Sequence, residues 1–182
     1  MSPAFRKFHR RVSPWLIVPL FVTLATGIGY RIGRAWFGMD KGLGSKVLDV
    51  HSGEWLGGIG SMLYLAVVGM GLLALIVSGA TLLLTSRSKI PMRLGHRIVA
   101  LILMLPLAAS AVTGLAYKFG EEWFHISDGT ADLLMDIHQG SWLGKGVAPY
   151  YVLFVGLGLL ALSWTGLQMT GLLKKKSPTR QA

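Results

Sequence analysis

The sequence predicts an all-α integral membrane protein: a four-transmembrane-helix bundle made of two tandem, parallel helical-hairpin repeats. Three observations carry that expectation. Over half of the 182 residues are hydrophobic and only 14% are charged, a composition unlike that of a soluble domain. Four apolar stretches, 14–30, 56–84, 98–117 and 148–173, each approach the roughly 20 helical residues that cross a hydrocarbon core. And residues 9–80 recur, 87 positions later, as residues 96–167.

The first stretch follows Ser2-Pro3, an N-cap signature that places His9 in the second helical turn. It contains Pro14 and Pro19 and reads HRRVSPWLIVPLFVTLATGIGY; its counterpart reads HRIVALILMLPLAASAVTGLAY. That counterpart lies in mid-chain, which argues against the first stretch being a signal peptide. The outer connections carry the second shared signal, DVHSGEWLG against DIHQGSWLG. Ser45 and Thr130 are the expected caps ahead of their histidines, placing His51 and His138 near helix starts. Residues 1–85 form the first two-helix repeat and 86–95 a linker in which Pro91 opens the third helix. Residues 96–173 form the second repeat, and 174–182 a basic tail.

Charge sets the expected orientation. Arg6, Lys7, Arg10 and Arg11, then Arg87, Lys89, Arg93 and Arg97, then Lys174, Lys175, Lys176 and Arg180 make 12 of the 18 basic residues, all on one side. All eight acidic residues fall on the other: Asp40, Asp49, Glu54, Glu121, Glu122, Asp128, Asp132 and Asp136. The positive-inside rule puts both termini in the cytoplasm. Topology and anionic lipid account for the basic residues, so no nucleic-acid partner is expected.

Each copy holds one His before its first span and another 42 residues on: His9 and His51, His96 and His138. Parallel repeats bring equivalent positions to one depth, pairing His9 with His96 and His51 with His138. His9 and His51 are too far apart to pair, since residues 9–30 alone span about 31 Å as helix. Two imidazoles facing across a bundle suit the two axial positions of a haem iron. Zinc wants four converging ligands, and the pairs lie at opposite ends of the bundle. With no Cys, covalent haem attachment and iron–sulfur clusters are excluded. The expected cofactors are two non-covalent b-type haems, the inner on His9 and His96, the outer on His51 and His138. Arg10 and Arg97, next to the inner ligands, are candidate propionate partners, as are Arg31, Arg34, Lys41 and Lys46 outside. Asp49 and Asp136, two residues before the outer ligands, point away from them. His125 has no counterpart, Gly38 standing at its position, and reads as a surface loop residue. Trp55, Trp142, Tyr30 and Tyr117 read first as interfacial anchors, with a haem-edge contact as the alternative for the tryptophans. The recurring Gly69, Gly71, Gly79 and Gly156, Gly158, Gly166 serve either close helix approach or room for a flat macrocycle.

The paired segments resemble the PepSY-associated transmembrane family. The likeness rests on the His-Arg starts at His9-Arg10 and His96-Arg97 and the Thr-Gly endings at Thr26-Gly27 and Thr113-Gly114. It rests also on Ser78-Gly79 and Thr165-Gly166, and on His51-Ser52-Gly53 and His138-Gln139-Gly140 in the outer connections. It covers nearly the whole chain. The resemblance implies a bacterial inner-membrane protein that passes electrons through b-type haems, as ferric-siderophore reductases of that family do. The outer connections are too short for the extracytoplasmic domain that larger members carry. The expected function is therefore a di-haem cytochrome moving electrons across the membrane, with a ferric chelate or a partner redox protein as outer acceptor. A cytoplasmic reductase or quinol would be the donor, since no nucleotide or flavin site is legible. The alternatives are a quinol-linked haem subunit of a larger complex, or a non-redox membrane anchor or assembly subunit.

Overall fold

The computed structural model describes residues 3–85 and 91–170, which are all-helical, with no strand among them. Four helices are long and apolar enough to cross a membrane: α1 (Pro3–Trp36), α3 (Gly58–Thr85), α4 (Pro91–Phe119) and α6 (Ala148–Thr170). Even α6, the shortest at 23 residues, reaches about 34 Å at 1.5 Å per residue, enough for a core of about 30 Å. Two short helices, α2 (Lys41–Ser52) and α5 (Asp128–Gln139), occupy the connections between spans. Pro91 opens α4 as expected; the Ser2 cap and the basic tail lie outside the described residues.

Around the bundle the spans run α1, α3, α4, α6, each packed on the next and α6 closing onto α1. Two small cores hold it together. Leu16, Leu20 and Val68 form one, and Leu103, Leu107 and Val155, each 87 positions on, form the other. Between membrane helices such contacts stabilise through close packing rather than through water release. The outward faces stay apolar, with Trp15 82% and Leu84 88% exposed, which suits lipid rather than water. Pro14, Pro19 and Pro106 lie inside helices without ending them. Side chains of neighbouring spans also bond to this backbone: the Tyr64 hydroxyl donates to the Pro19 carbonyl oxygen at 3.4 Å.

The structure corrects the expected helix starts around the outer histidines. The cap of α2 is Asp40, whose carboxylate accepts from the Leu43 N–H at 3.0 Å, and the cap of α5 is Ser127; Ser45 and Thr130 lie inside their helices. His51 and His138 therefore sit in the last turns of α2 and α5, not in the early turns of spans. Gly53 and Gly140, at φ 77° and 73°, end those helices in the left-handed region that side chains avoid. That break separates each histidine from the span that follows it.

Candidate functional site

His51 and His138, the pair expected on the outer side, meet. Their ring centres lie 6.2 Å apart at an interplanar angle of 71°, and both residues line a cavity of about 520 Å³. The hydrogen bonds assign the tautomers. Nδ1–H of His51 donates to the Thr23 carbonyl oxygen at 2.8 Å, and Nδ1–H of His138 donates to the Ser110 carbonyl oxygen at 2.8 Å. A carbonyl only accepts, so each Nδ1 carries the proton and each Nε2 keeps its lone pair. This is the arrangement in which a backbone oxygen orients a metal-binding imidazole. Desolvation first, and the neighbouring His138 second, push His51 down to about 4; desolvation also lowers His138. Both rings are neutral near pH 7, the form that binds metal.

Glycine makes the approach possible. A Cβ at Gly27 would lie 2.9 Å from Cε1 of His51, and one at Gly114 would lie 2.9 Å from both Cε1 and Nδ1 of His138. The glycines of the Thr-Gly pairs that end the first apolar run of each copy thus supply the gap each imidazole enters. The Tyr64 and Tyr151 rings pack on Gly53 and Gly140, the glycines that end α2 and α5, and Tyr151 also lines the cavity.

The inner pair is built by different means to the same end. Nδ1 of His9 is 2.8 Å from the Ser78 hydroxyl, and Nδ1 of His96 is 2.8 Å from the Thr165 hydroxyl. Both hydroxyls donate to backbone carbonyls one turn back, Ser78 to Leu75 at 3.1 Å and Thr165 to Ala161 at 2.7 Å. They are therefore left to accept from the rings, and Nε2 is again unprotonated. Gly79 and Gly166 face Cε1 of His9 and His96, where a Cβ would sit at ordinary contact distances of 3.6 and 3.7 Å. His9 and His96 line one cavity, but its volume is about 150 Å³, far less than that of the outer one. Four leucines, Leu20, Leu72, Leu107 and Leu159, line both cavities and stand where the two adjoin.

Of the other candidates, Arg10 and Arg97 turn to helix ends. Arg10 donates to the Thr170 carbonyl oxygen at 3.4 Å and Arg97 to that of Leu83 at 2.9 Å; Arg10 also lines the inner cavity. Arg31 lines the outer cavity, whereas Arg34 donates to the Met39 carbonyl oxygen and Lys41 and Lys46 are exposed. Trp55 and Trp142, 63% and 62% exposed, are not among the outer cavity's lining residues, consistent with interfacial anchors. Tyr30 and Tyr117 do line it, which sequence reasoning missed. It also missed Lys118, buried at the same mouth and paired with Glu54 and with Glu122. Of the repeated glycines, Gly69, Gly71, Gly156 and Gly158 are closed over by leucine or isoleucine side chains, the close-approach role, while Gly79 and Gly166 face histidines. His125 is exposed, at φ 46° where Gly38 has φ 63°.

Among the described residues, no three or more His, Cys, Asp or Glu cluster as a metal-holding group. Comparison with family models, with curated proteins and with solved structures found no match to the chain.

Proposed function

We propose that the chain is a di-haem b-type membrane cytochrome that carries electrons from a cytoplasmic or quinol donor to an acceptor outside, a ferric chelate being the favoured one. The observation that carries this reading is the spacing of His51 and His138. A nitrogen–metal bond is about 2.0 Å and an imidazole nitrogen lies about 1.1 Å from its ring centre. Two rings on opposite sides of one metal then stand about 6.2 Å apart, against about 5.1 Å around a tetrahedral ion. The observed 6.2 Å fits opposite faces of one iron. The cavity of about 520 Å³ lies within the range of cofactor pockets and is lined mainly by apolar side chains.

His51 and His138 would hold the outer haem, with Thr23 and Ser110 orienting the rings through their carbonyls. His9 and His96 would hold the inner one, with Ser78 and Thr165 as orienting groups. The inner assignment is supported by ligand chemistry rather than by volume, because about 150 Å³ requires the surrounding side chains to move apart. A haem held by each histidine pair would supply a one-electron couple, and ligation by two imidazoles favours electron transfer over oxygen binding. The protein's own part is to fix both imidazoles as neutral Nε2 ligands, to exclude water with leucine, and to keep the pairs at two depths. Kinship with the PepSY-associated transmembrane family, cytoplasmic termini and an inner-membrane location belong to the same proposal. They are supported by the repeated motifs and by the basic linkers.

A visible spectrum of the purified protein, oxidised and then reduced, tests the reading. About two low-spin haems per chain, fully extracted by acidic acetone, are expected. A colourless protein after expression with ample haem rejects it.

A further inference from the structure

The mouth of the outer cavity is asymmetric in charge. Arg31 and Lys118 occupy equivalent places, 87 positions apart, and both line the cavity. Lys118, 9% exposed, is held by two carboxylates, Glu54 and Glu122. Around Arg31 the repeat places Ser141 where Lys118 has Glu54, and Ala35 where Lys118 has Glu122, each pair 87 positions apart. Arg31 accordingly finds only neutral partners, reaching from α1 to the Gln139 amide oxygen at 3.2 Å and the Ser141 hydroxyl at 3.4 Å. No carboxylate pairs with it among the described residues. Its Nε is the one buried side-chain polar atom without a hydrogen-bond partner among them. A part-buried guanidinium with neutral neighbours and a spare donor is poised for an anion, because enclosed charge is costly until paired. The Lys118 side is already overcompensated by its two acids and repels one.

We propose that Arg31 is the carboxylate anchor of the outer cavity, so that its guest enters in one orientation, with an anionic arm on the α1 side and none on Lys118. This rests on the haem reading above, where the arm is a haem propionate. Arg31 is a positioning residue: it fixes how the ring is turned, and the histidines fix its depth. The expected preference follows from one charge-assisted hydrogen bond, about tenfold or more in affinity.

The test titrates haem-free full-length protein, in a His96→Ala background that disables the inner site, with haem and with haem dimethyl ester. The ester keeps the ring and iron but lacks the anionic arms. The uptake of either form with a low-spin spectrum reports the histidine ligation. The preference between them reports Arg31. We expect the parent to favour free haem about tenfold or more, Arg31→Gln to bind both forms alike, Arg31→Lys to keep part of the preference, and Lys118→Gln to keep all of it. Equal affinity of the parent for the two forms overturns the anchor while leaving the ligation standing; the low-spin uptake itself reports that the His96→Ala parent is folded. An unchanged preference in Arg31→Gln, or its loss in Lys118→Gln, also overturns it. Failure to bind either form overturns the haem reading and the anchor together.

Discussion

Replacing Gly114 by alanine adds one methyl group where the outer site has no room for it. The new Cβ would stand 2.9 Å from both Cε1 and Nδ1 of His138. Carbon contacts settle near 3.5 Å, so the ring must retreat by about 0.6 Å. Ser110 and Gly114 lie one turn apart on the same face of α4, so a ring that backs away from one backs away from the other. The Nδ1–H bond to the Ser110 carbonyl oxygen, now 2.8 Å, would stretch to about 3.4 Å, past the useful range. Loss of such an orienting bond typically weakens metal binding by about 10–100-fold. Gly27→Ala should act likewise through His51, since its Cβ also lies 2.9 Å from Cε1. Gly166→Ala is the control. Its Cβ would rest 3.7 Å from Cε1 of His96, an ordinary contact, and alanine favours helix over glycine by up to about 1 kcal/mol. The assay is a spectroscopic redox titration with haem stoichiometry. Gly27→Ala and Gly114→Ala should weaken or shift the outer component alone, and Gly166→Ala should change neither. Wild-type behaviour of both outer variants, or loss of a component in Gly166→Ala, would refute the idea that these glycines are spaces for imidazoles.

Three further outcomes are expected. His51→Ala and His138→Ala should each remove the same redox component and His9→Ala and His96→Ala the other, while His125→Ala keeps both; loss of one shared component in His9→Ala and His51→Ala would refute the pairing. Reporter fusions at residues 40, 90, 128 and 180 should read outside, inside, outside, inside, and a terminus that reads outside would reverse the assignment of inner and outer sites. Because desolvation holds His51 near 4, lowering the pH from 7 to 5 should leave haem uptake by the outer site nearly unchanged. An imidazole at the ordinary 6.5 would lose about thirtyfold over that range. Below about pH 4, protons should compete with iron and uptake should fall about tenfold per unit. Titration of haem-free protein across that range reads the difference.

The spans were legible because apolar length is written residue by residue. The His pairs were legible as candidates because the repeat put each at a matching position, and the rings of His51 and His138 do meet. Their helix position was not legible. Ser45 and Thr130 have capping side chains, but the chain turns earlier, at Asp40 and Ser127, and stops at Gly53 and Gly140. The sign was present in the glycine two residues after each histidine, which marks a helix end. The orienting groups were half hidden. Ser78 and Thr165 show as hydroxyls repeated 87 positions apart, whereas Thr23 and Ser110 orient the outer rings through backbone oxygens, which no side-chain pattern reveals. The unpaired state of Arg31 is a property of distance and enclosure, and the sequence showed it only as one of several outer cations.

Leu20, Leu72, Leu107 and Leu159 have a bearing on the energy of the membrane itself. Hydrocarbon side chains offer neither donor nor acceptor, so leucines where the two cavities adjoin give a proton no relay there. In the proposed role, negative charge that passes them travels uncompensated and does electrical work, about 2.3 kcal/mol per charge for each 100 mV of the potential crossed. Turnover in sealed vesicles would then build a voltage without any pump, and a pre-existing voltage would speed or stall it according to sign. Four leucines would make the chain a small battery terminal, and its rate a gauge of the membrane's charge.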